Sequence, residues 1–202
     1  MLRLRSVEPP FADRDVAGQA ARLLAEAEAA GLWAPRSLIS RLDQAVFSEA
    51  LESMAETGVA PNAVIDMPAY ADKDPQGFGD WIGRVRESIA ASPVPERELP
   101  RLDTLFGIDR VAELIGVAGS TLRRYLAGTR PVPDDVAWRG HVVVGVVGAL
   151  AGSYNDRGVR RWFERPRTQL DGRAPDQILA GAWSPDSPDV ARVVALAAES
   201  AG

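Results

Sequence analysis

The chain has no cysteine and a single histidine among its 202 residues, and these shortages exclude several kinds of site. Without cysteine there can be no disulfide bond, thiol nucleophile or thiolate-bound metal ion. A Ser/His/Asp triad could use only His141, and no second imidazole is present to share a metal ion with it. We therefore expect no enzymatic activity, no metal and no cofactor, although chemistry that uses carboxylates alone stays open.

Long apolar runs are missing as well. No stretch approaches the roughly 20 apolar residues that a membrane helix requires, and the opening residues MLRLRSVEPPFADRD lack the apolar core of a signal peptide. The absence of cysteine also fits a reducing compartment. We therefore expect a cytoplasmic protein, whose 46% hydrophobic content suffices for one large core or two small ones.

Helical periodicity, in contrast, is plentiful. Three stretches in residues 1–98 place apolar side chains at helical spacing, and the second of them includes Leu38 and Leu42. The third is the weakest, because three glycines interrupt its first half. These patterns predict an N-terminal helical domain, residues 1–98, whose role the sequence does not indicate. The three stretches are residues 13–31, 35–58 and 74–92.

A proline-rich segment and a change of charge follow. The segment SPVPERELP carries three prolines, so we expect a linker without helix and a domain boundary there. Residues 1–100 have a net charge of −6, residues 101–173 have 12 arginines against 8 carboxylates, and the remainder has a net charge of −3. A basic middle in an acidic protein is typical of a nucleic-acid surface, although chance asymmetry is the plainer explanation.

The basic part contains IDRVAELIGVAGSTLRRYLAGTR, from Ile108 to Arg130, which has the parts of a helix-turn-helix in order. Such a motif needs a small residue where its helices cross, here Ala112, and a glycine in the turn, here Gly116. An inward stripe follows at Leu122, Tyr125 and Leu126. An ordinary helical hairpin with solvated arginines is the alternative. The outward-facing candidates for DNA binding are Ser120, Thr121, Arg123, Arg124 and Arg130.

A long buried helix is predicted next, from about Pro133 to Ala151. Asp134 and Asp135 suit its N-terminus, because carboxylates there interact favourably with the helix dipole. The valine run at residues 142–144 would also suit a strand, but the chain shows no partner strand. On this helix His141 is expected to be a packed side chain and not a ligand.

The segment RRWFERPRTQLDGRAPDQIL, residues 160–179, combines aromatic, proline and glycine residues at regular distances. Trp162 and Phe163 can bury a large apolar area at the end of a short helix that Pro166 stops. Gly172 then allows a turn before Pro175 starts the next helix. A final helix is expected from about Pro188 to Ala198. The ordered series is Trp162, Pro166, Leu170, Gly172, Pro175 and Leu179, with Gly158 ahead of it.

This series, placed behind a helix-turn-helix and a long helix, resembles the toxin-binding domain of Xre/MbcA/ParS-type antitoxins. The resemblance covers about residues 100–202. It implies an all-α fold, in which an N-terminal helical domain is followed by an Xre-like helix-turn-helix and a small helical toxin-binding domain. It also implies a RES-domain toxin that degrades NAD as partner, with the antitoxin covering its active site and binding operator DNA to autoregulate. The implied domains are a helical extension (1–98), an Xre-like region (99–152) and a toxin-binding domain (153–202).

The exposed positions between the anchors of the motif are the candidates for contact with the toxin. One departure from the family lies behind them, where AGAWSPDSPDVARVVALAAESAG contains two prolines and Trp183. A homodimer or a higher hetero-oligomer is expected, because helix-turn-helix proteins usually read two-fold operators. The alternative function is a stand-alone helix-turn-helix repressor or adaptor without a toxin. The candidate toxin-binding residues are Arg165, Arg167, Gln169 and Arg173.

Overall fold

The computed structural model describes residues 2–35, 37–69, 71 and 73–200, without the side chains of residues 2–4. Helices account for most of this part of the chain, with two short strands beside eleven α-helices. The prediction of a helix-dominated fold is confirmed, whereas the strands were not predicted. Contacts divide the chain into two compact units, Met1–Ser92 (unit 1) and Pro93–Gly202 (unit 2).

Unit 1 packs helices against each other and against a small sheet. Asp13 caps the first helix, because its side chain accepts hydrogen bonds from the N–H groups of Asp15 and Val16. The predicted first and third helices are confirmed, since Arg14–Ala29 and Pro75–Ala90 are helical within their stretches. Its elements are β1 (Leu2–Val7), α1 (Arg14–Ala29), β2 (Ile39–Leu42), α2 (Gln44–Glu56), α3 (Ala63–Asp66) and α4 (Pro75–Ala90).

The second predicted helix is wrong in its first part. Residues around Leu38 and Leu42 are not helical, because Ile39–Leu42 pairs in parallel with β1. The helix α2 begins only after Asp43, whose carboxylate accepts a hydrogen bond from the Val46 N–H at 2.9 Å. Pairing with a distant strand therefore overrides a helical spacing of leucines.

Aromatic rings fill the core of unit 1. Phe11 packs on Phe47 with ring centroids 5.0 Å apart, and Phe78 stacks on Trp81. Helices α1 and α4 pack side by side, and a charged pair between Arg86 and Glu26 joins them. Because aromatic pairs add to the stabilisation from apolar burial, this cluster accounts for a stable small core.

Unit 2 is a bundle of helices. Its long helix has the bounds that the sequence predicted, and the valine run is helical. The elements of unit 2 are α5 (Pro95–Phe106), α6 (Ile108–Ile115), α7 (Gly119–Leu126), α8 (Asp134–Leu150), α9 (Asp156–Glu164), a short 3-10 turn (Thr168–Leu170), α10 (Pro175–Ile178) and α11 (Pro188–Glu199).

The proline-rich segment is largely helical, so the expected linker without helix is wrong. Pro95 stands at the start of α5, where its fixed φ suits the helix and its missing N–H costs nothing. Pro100 lies inside the helix and does remove a hydrogen bond. The buried side chains of Leu99 and Leu102 keep the segment helical nevertheless, because apolar burial against neighbouring helices outweighs that loss.

Helix α8 forms the centre of unit 2. Helices α5, α6 and α11 all pack against it. Its valines at 143, 144, 146 and 147 are buried, each contributing roughly 1.5 kcal/mol or more to stability. Residues of the predicted Xre-like and toxin-binding regions therefore share one core.

Candidate nucleic-acid and partner interfaces

Two short helices joined by a tight turn lie where the sequence predicts a helix-turn-helix. Helices α6 and α7 have eight residues each and are joined by residues 116–118. The N–H of Val117 donates to the carbonyl of Ala112 at 2.9 Å, which closes the turn. Ala112 is buried, as expected of a small crossing residue.

Gly116 meets two separate demands of the turn. Its φ of +70° places it in the left-handed region, which side chains other than glycine rarely adopt. A Cβ atom added there would also overlap the backbone of Gly181. Glycine is therefore required by both its own backbone conformation and the close approach of a second segment.

The two sides of α7 differ as the sequence predicts. Leu122 and Tyr125 are buried and Leu126 is half-buried. Of the five DNA-binding candidates, Thr121 is half-buried on the same helix. The other four are exposed, namely Ser120, Arg123, Arg124 and Arg130.

Weak contacts hold the three arginines of this surface. Arg123 lies 3.9 Å from the carboxylate of Asp109, and the two side chains are 61% and 89% exposed. Arg124 donates to the carbonyl of Ser120 at 3.3 Å, and Arg130 lies over the ring of Tyr125 at 5.8 Å. Exposed pairs of this kind are worth about 1 kcal/mol or less. An external anion can therefore displace them at little cost.

The C-terminal motif builds the fold around α9. Trp162 and Phe163 are buried at the end of that helix, and Phe163 packs on Phe106 with centroids 5.0 Å apart. The helix ends at Glu164, before Pro166. The predicted turn and helix start are also confirmed, because Gly172 has a φ of +78° and Pro175 is the first residue of α10.

The four candidate toxin-binding residues fall into two groups. Arg165 and Gln169 are exposed. Arg167 is half-buried, with its guanidinium 5.3 Å from the ring centroid of Trp162. Arg173 donates to the carboxylate of Asp189 at 2.7 Å. Two of the four therefore make contacts inside the chain, which the sequence pattern did not indicate.

A cluster of alternating charges joins the turn of the motif to α11. Arg192 donates to both Asp171 and Asp189, and Arg173 shares the second of these carboxylates. The hydrogen bond from Arg173 lowers the pKa of Asp189 below its usual value. The hydrogen bond to Asp171 likewise raises the pKa of Arg192. Because the side chains of this cluster are exposed, the ion pairs add little to stability and mainly fix the relative positions of the residues.

Residues 176–183, at the end of the motif and directly behind it, contact α6 at three points. Arg110 pairs with Asp176 on α10, whose pKa is raised by burial while the guanidinium opposes that rise. The Gly181 N–H donates to the carbonyl of Glu113 at 2.9 Å. The indole N–H of Trp183 donates to the carbonyl of Leu114 at 2.8 Å. Sequence reasoning missed these contacts, and the additional tryptophan was the only signal of them.

The single histidine is packed in the core of unit 2. Nδ1 of His141 lies 2.6 Å from a carboxylate oxygen of Glu98 on α5, and both side chains are buried. The ring also contacts Trp138 edge to face. The expected packed side chain is therefore observed, with a carboxylate partner that the sequence did not predict.

Comparison with known protein families, characterised proteins and solved structures finds no match for this chain. Within the described residues, His, Asp and Glu form no group of three or more that could hold a metal ion. None of the helices in that part of the chain is long and apolar enough to cross a membrane. Function is therefore inferred from the surfaces described above.

Proposed function

We propose that the protein is the antitoxin of a type II toxin-antitoxin pair, which binds operator DNA through α6 and α7 and a RES-type, NAD-degrading toxin through the segment after α8. The observation that carries this proposal is the helix pair with outward arginines, followed in one compact unit by the anchors of the toxin-binding motif. The proposed regions are 1–98, 99–152 and 153–202, in the roles that the resemblance implies.

The DNA-binding role is supported by the exposed side of α7. A recognition helix presents polar side chains to base edges and phosphates while its other side packs on the first helix. Ser120 at the start of α7 and the arginine pair Arg123 and Arg124 fit that arrangement. Since weak intramolecular contacts hold both guanidiniums, phosphate oxygens can replace those contacts without leaving a buried charge unpaired.

The toxin-binding role is supported by what the motif leaves outside the core. The anchors Trp162, Leu170 and Leu179 are buried, while Arg165 and Gln169 stand exposed between them. A toxin that degrades NAD has to admit a small molecule to its active site. A folded surface seated over the entrance is therefore sufficient to inhibit it. We place this activity in the cytoplasm, where both operator DNA and NAD are found.

A homodimer completes the proposal, because two-fold operators require two recognition helices. Most of α8 is used in the core of unit 2, so only one stripe along it remains for a partner. Trp138 is 39% exposed, and Gly145 has no heavy atom within 4 Å of an added Cβ. The stripe consists of Trp138, Val142, Gly145 and Ala149. Binding of toxin to such a dimer would give a higher hetero-oligomer.

One observation favours the alternative of a stand-alone helix-turn-helix repressor or adaptor. Arg167 and Arg173 are engaged inside the chain, so fewer side chains than expected remain for a toxin. Both functions require DNA binding, and they differ in whether a protein partner exists. A neighbouring gene for a RES-type protein would distinguish them.

The test is growth of cells that express the neighbouring RES-type protein together with the antitoxin or its variants. Rescue by the wild type, and also by the R123A/R124A variant, is expected if neutralisation and DNA binding use different surfaces. Gel shifts with a duplex of the sequence upstream of the gene test the other activity, which the same variant should lose. Failure of the wild type to rescue growth would refute the antitoxin role.

A further inference from the structure

The carbonyl groups at the end of α6 need partners from outside the helix. The last four carbonyls of any α-helix receive no hydrogen bond from within it. In α6 the first of these, on Ala112, accepts a hydrogen bond from the N–H of Val117 in the turn. The last, on Ile115, accepts from Nε of Arg139 on α8 at 2.8 Å.

The two carbonyls between them are bound by one loop, residues 179–187, between α10 and α11. Glu113 accepts from the N–H of Gly181 at 2.9 Å, while its bond from Gly116 is longer at 3.3 Å. Leu114 accepts from the indole N–H of Trp183, which also reaches the carbonyl of Leu179 at 2.9 Å. One indole N–H thus joins the end of α6 to the end of α10.

Two further contacts between the same parts of unit 2 agree with this arrangement. The backbone of Gly181 approaches Gly116 so closely that no side chain fits between them. Arg110, earlier on α6, pairs with Asp176 on α10. Both ends of α6 are therefore tied to residues 176–183.

The orientation of α7 depends on the turn that this loop holds. A recognition helix has to enter the groove within a fraction of an ångström and about 10–20° of its productive position. Residues 116–118 are the only covalent connection between α6 and α7. Any opening at the end of α6 is therefore transmitted to the arginines of α7.

We propose that Gly181 and Trp183 are positioning residues for DNA recognition, which hold the last turn of α6 so that α7 presents Arg123 and Arg124 in the geometry of the DNA complex. This inference rests on the proposed function of α6 and α7. It assigns a role to Trp183, which lies where the sequence departs from the antitoxin pattern that it resembles. A merely structural tryptophan would add stability without affecting how well one DNA sequence is preferred over another.

The test replaces Trp183 with Phe, which keeps an aromatic ring and removes the N–H donor. Hydrogen exchange of the full-length protein should become about tenfold faster at the amides of residues 116–118 and stay unchanged in α11. Affinity for the upstream duplex should fall about tenfold, with the affinity for a scrambled duplex and the salt slope unchanged. Trp33→Phe is the matched control, because it makes the same chemical change in unit 1, at a buried indole N–H that has no hydrogen-bond partner among the described residues.

A second variant covers the case in which Trp183→Phe does not fold. Asp176→Asn is nearly isosteric, keeps an oxygen that can accept from the backbone N–H of Gln177 and weakens the tie through Arg110, and it should lower the same affinity ratio to a smaller extent. Unchanged exchange at residues 116–118 would overturn the inference, as would faster exchange with an unchanged affinity ratio. If the wild type does not distinguish the upstream from the scrambled duplex, DNA recognition itself fails and the inference with it.

Discussion

Replacing Gly116 with alanine violates both demands on the turn between α6 and α7, and a control glycine with only the first of them separates the two costs. The positive φ alone costs an alanine about 1 kcal/mol. The new Cβ also overlaps the backbone of Gly181, so the loop has to move. That movement breaks the bonds from Gly181 and Trp183, each worth about 1 kcal/mol. We expect Gly116→Ala to lower the free energy of unfolding of unit 2 by about 3 kcal/mol.

Gly128→Ala is the matched control, because Gly128 follows α7 with a similar φ of +66° and has no heavy atom near an added Cβ. It should cost about 1 kcal/mol, from the backbone conformation alone. Pulsed hydrogen exchange of the full-length protein in increasing urea, read at the amides of α8, measures unit 2 separately from unit 1. If both variants lower the free energy of unfolding by the same amount, the close approach of the loop to Gly116 does not contribute to the cost of the substitution.

Further predictions concern DNA binding, toxin binding, pH and assembly. Replacing Arg123 and Arg124 with Ala should weaken operator binding and reduce its salt slope by about two, which gel shifts at several salt concentrations measure. Arg165→Glu should abolish rescue from the toxin in the growth assay without lowering the thermal midpoint. Asp189→Asn should remove stability that is present above pH 3.8 and lost as the pH falls through the lowered pKa, so acid denaturation should become shallower. Val142→Asp should convert a dimer to a monomer in sedimentation.

Each of these predictions has a result that contradicts it. An unchanged salt slope would remove the two arginines from the DNA surface, and full rescue by Arg165→Glu would remove that residue from the toxin surface. An acid transition with an unchanged midpoint and slope would show that Asp189 is not stabilised as a carboxylate. A wild type that sediments as a monomer, with and without DNA, would refute the dimer.

Local periodicity predicted the helices that bury one face. The spacing of apolar residues predicted α1 and α4, a continuous apolar run behind two aspartates predicted α8, and glycines marked where α1 and α6 stop. The outward side of α7 followed from the same period. These features are predictable because each depends on residues within a few positions of one another.

Features that depend on distant residues were not predictable from the chain. Ile39–Leu42 is a strand because it pairs with β1, although the local spacing of Leu38 and Leu42 fits a helix equally well. Pro100 stays within α5 because neighbouring residues are buried by other helices. Arg173, in the loop before α10, is engaged by Asp189 of α11. In each case tertiary contacts decide between local alternatives.

The contacts of α6 change how the two proposed activities can be separated. Removing residues 153–202 would be the simplest way to delete toxin binding and keep DNA binding. That deletion would take away the donors to Glu113 and Leu114, the carboxylate that pairs with Arg110, and the side of α11 that covers α8. The carbonyls of Glu113 and Leu114 would lose these donors, and the apolar side of α8 would be exposed to water. We therefore expect unit 2 of the truncated chain to unfold and DNA binding to be lost. Only substitutions at exposed positions such as Arg165, which leave the core and the loop intact, can test one activity without the other.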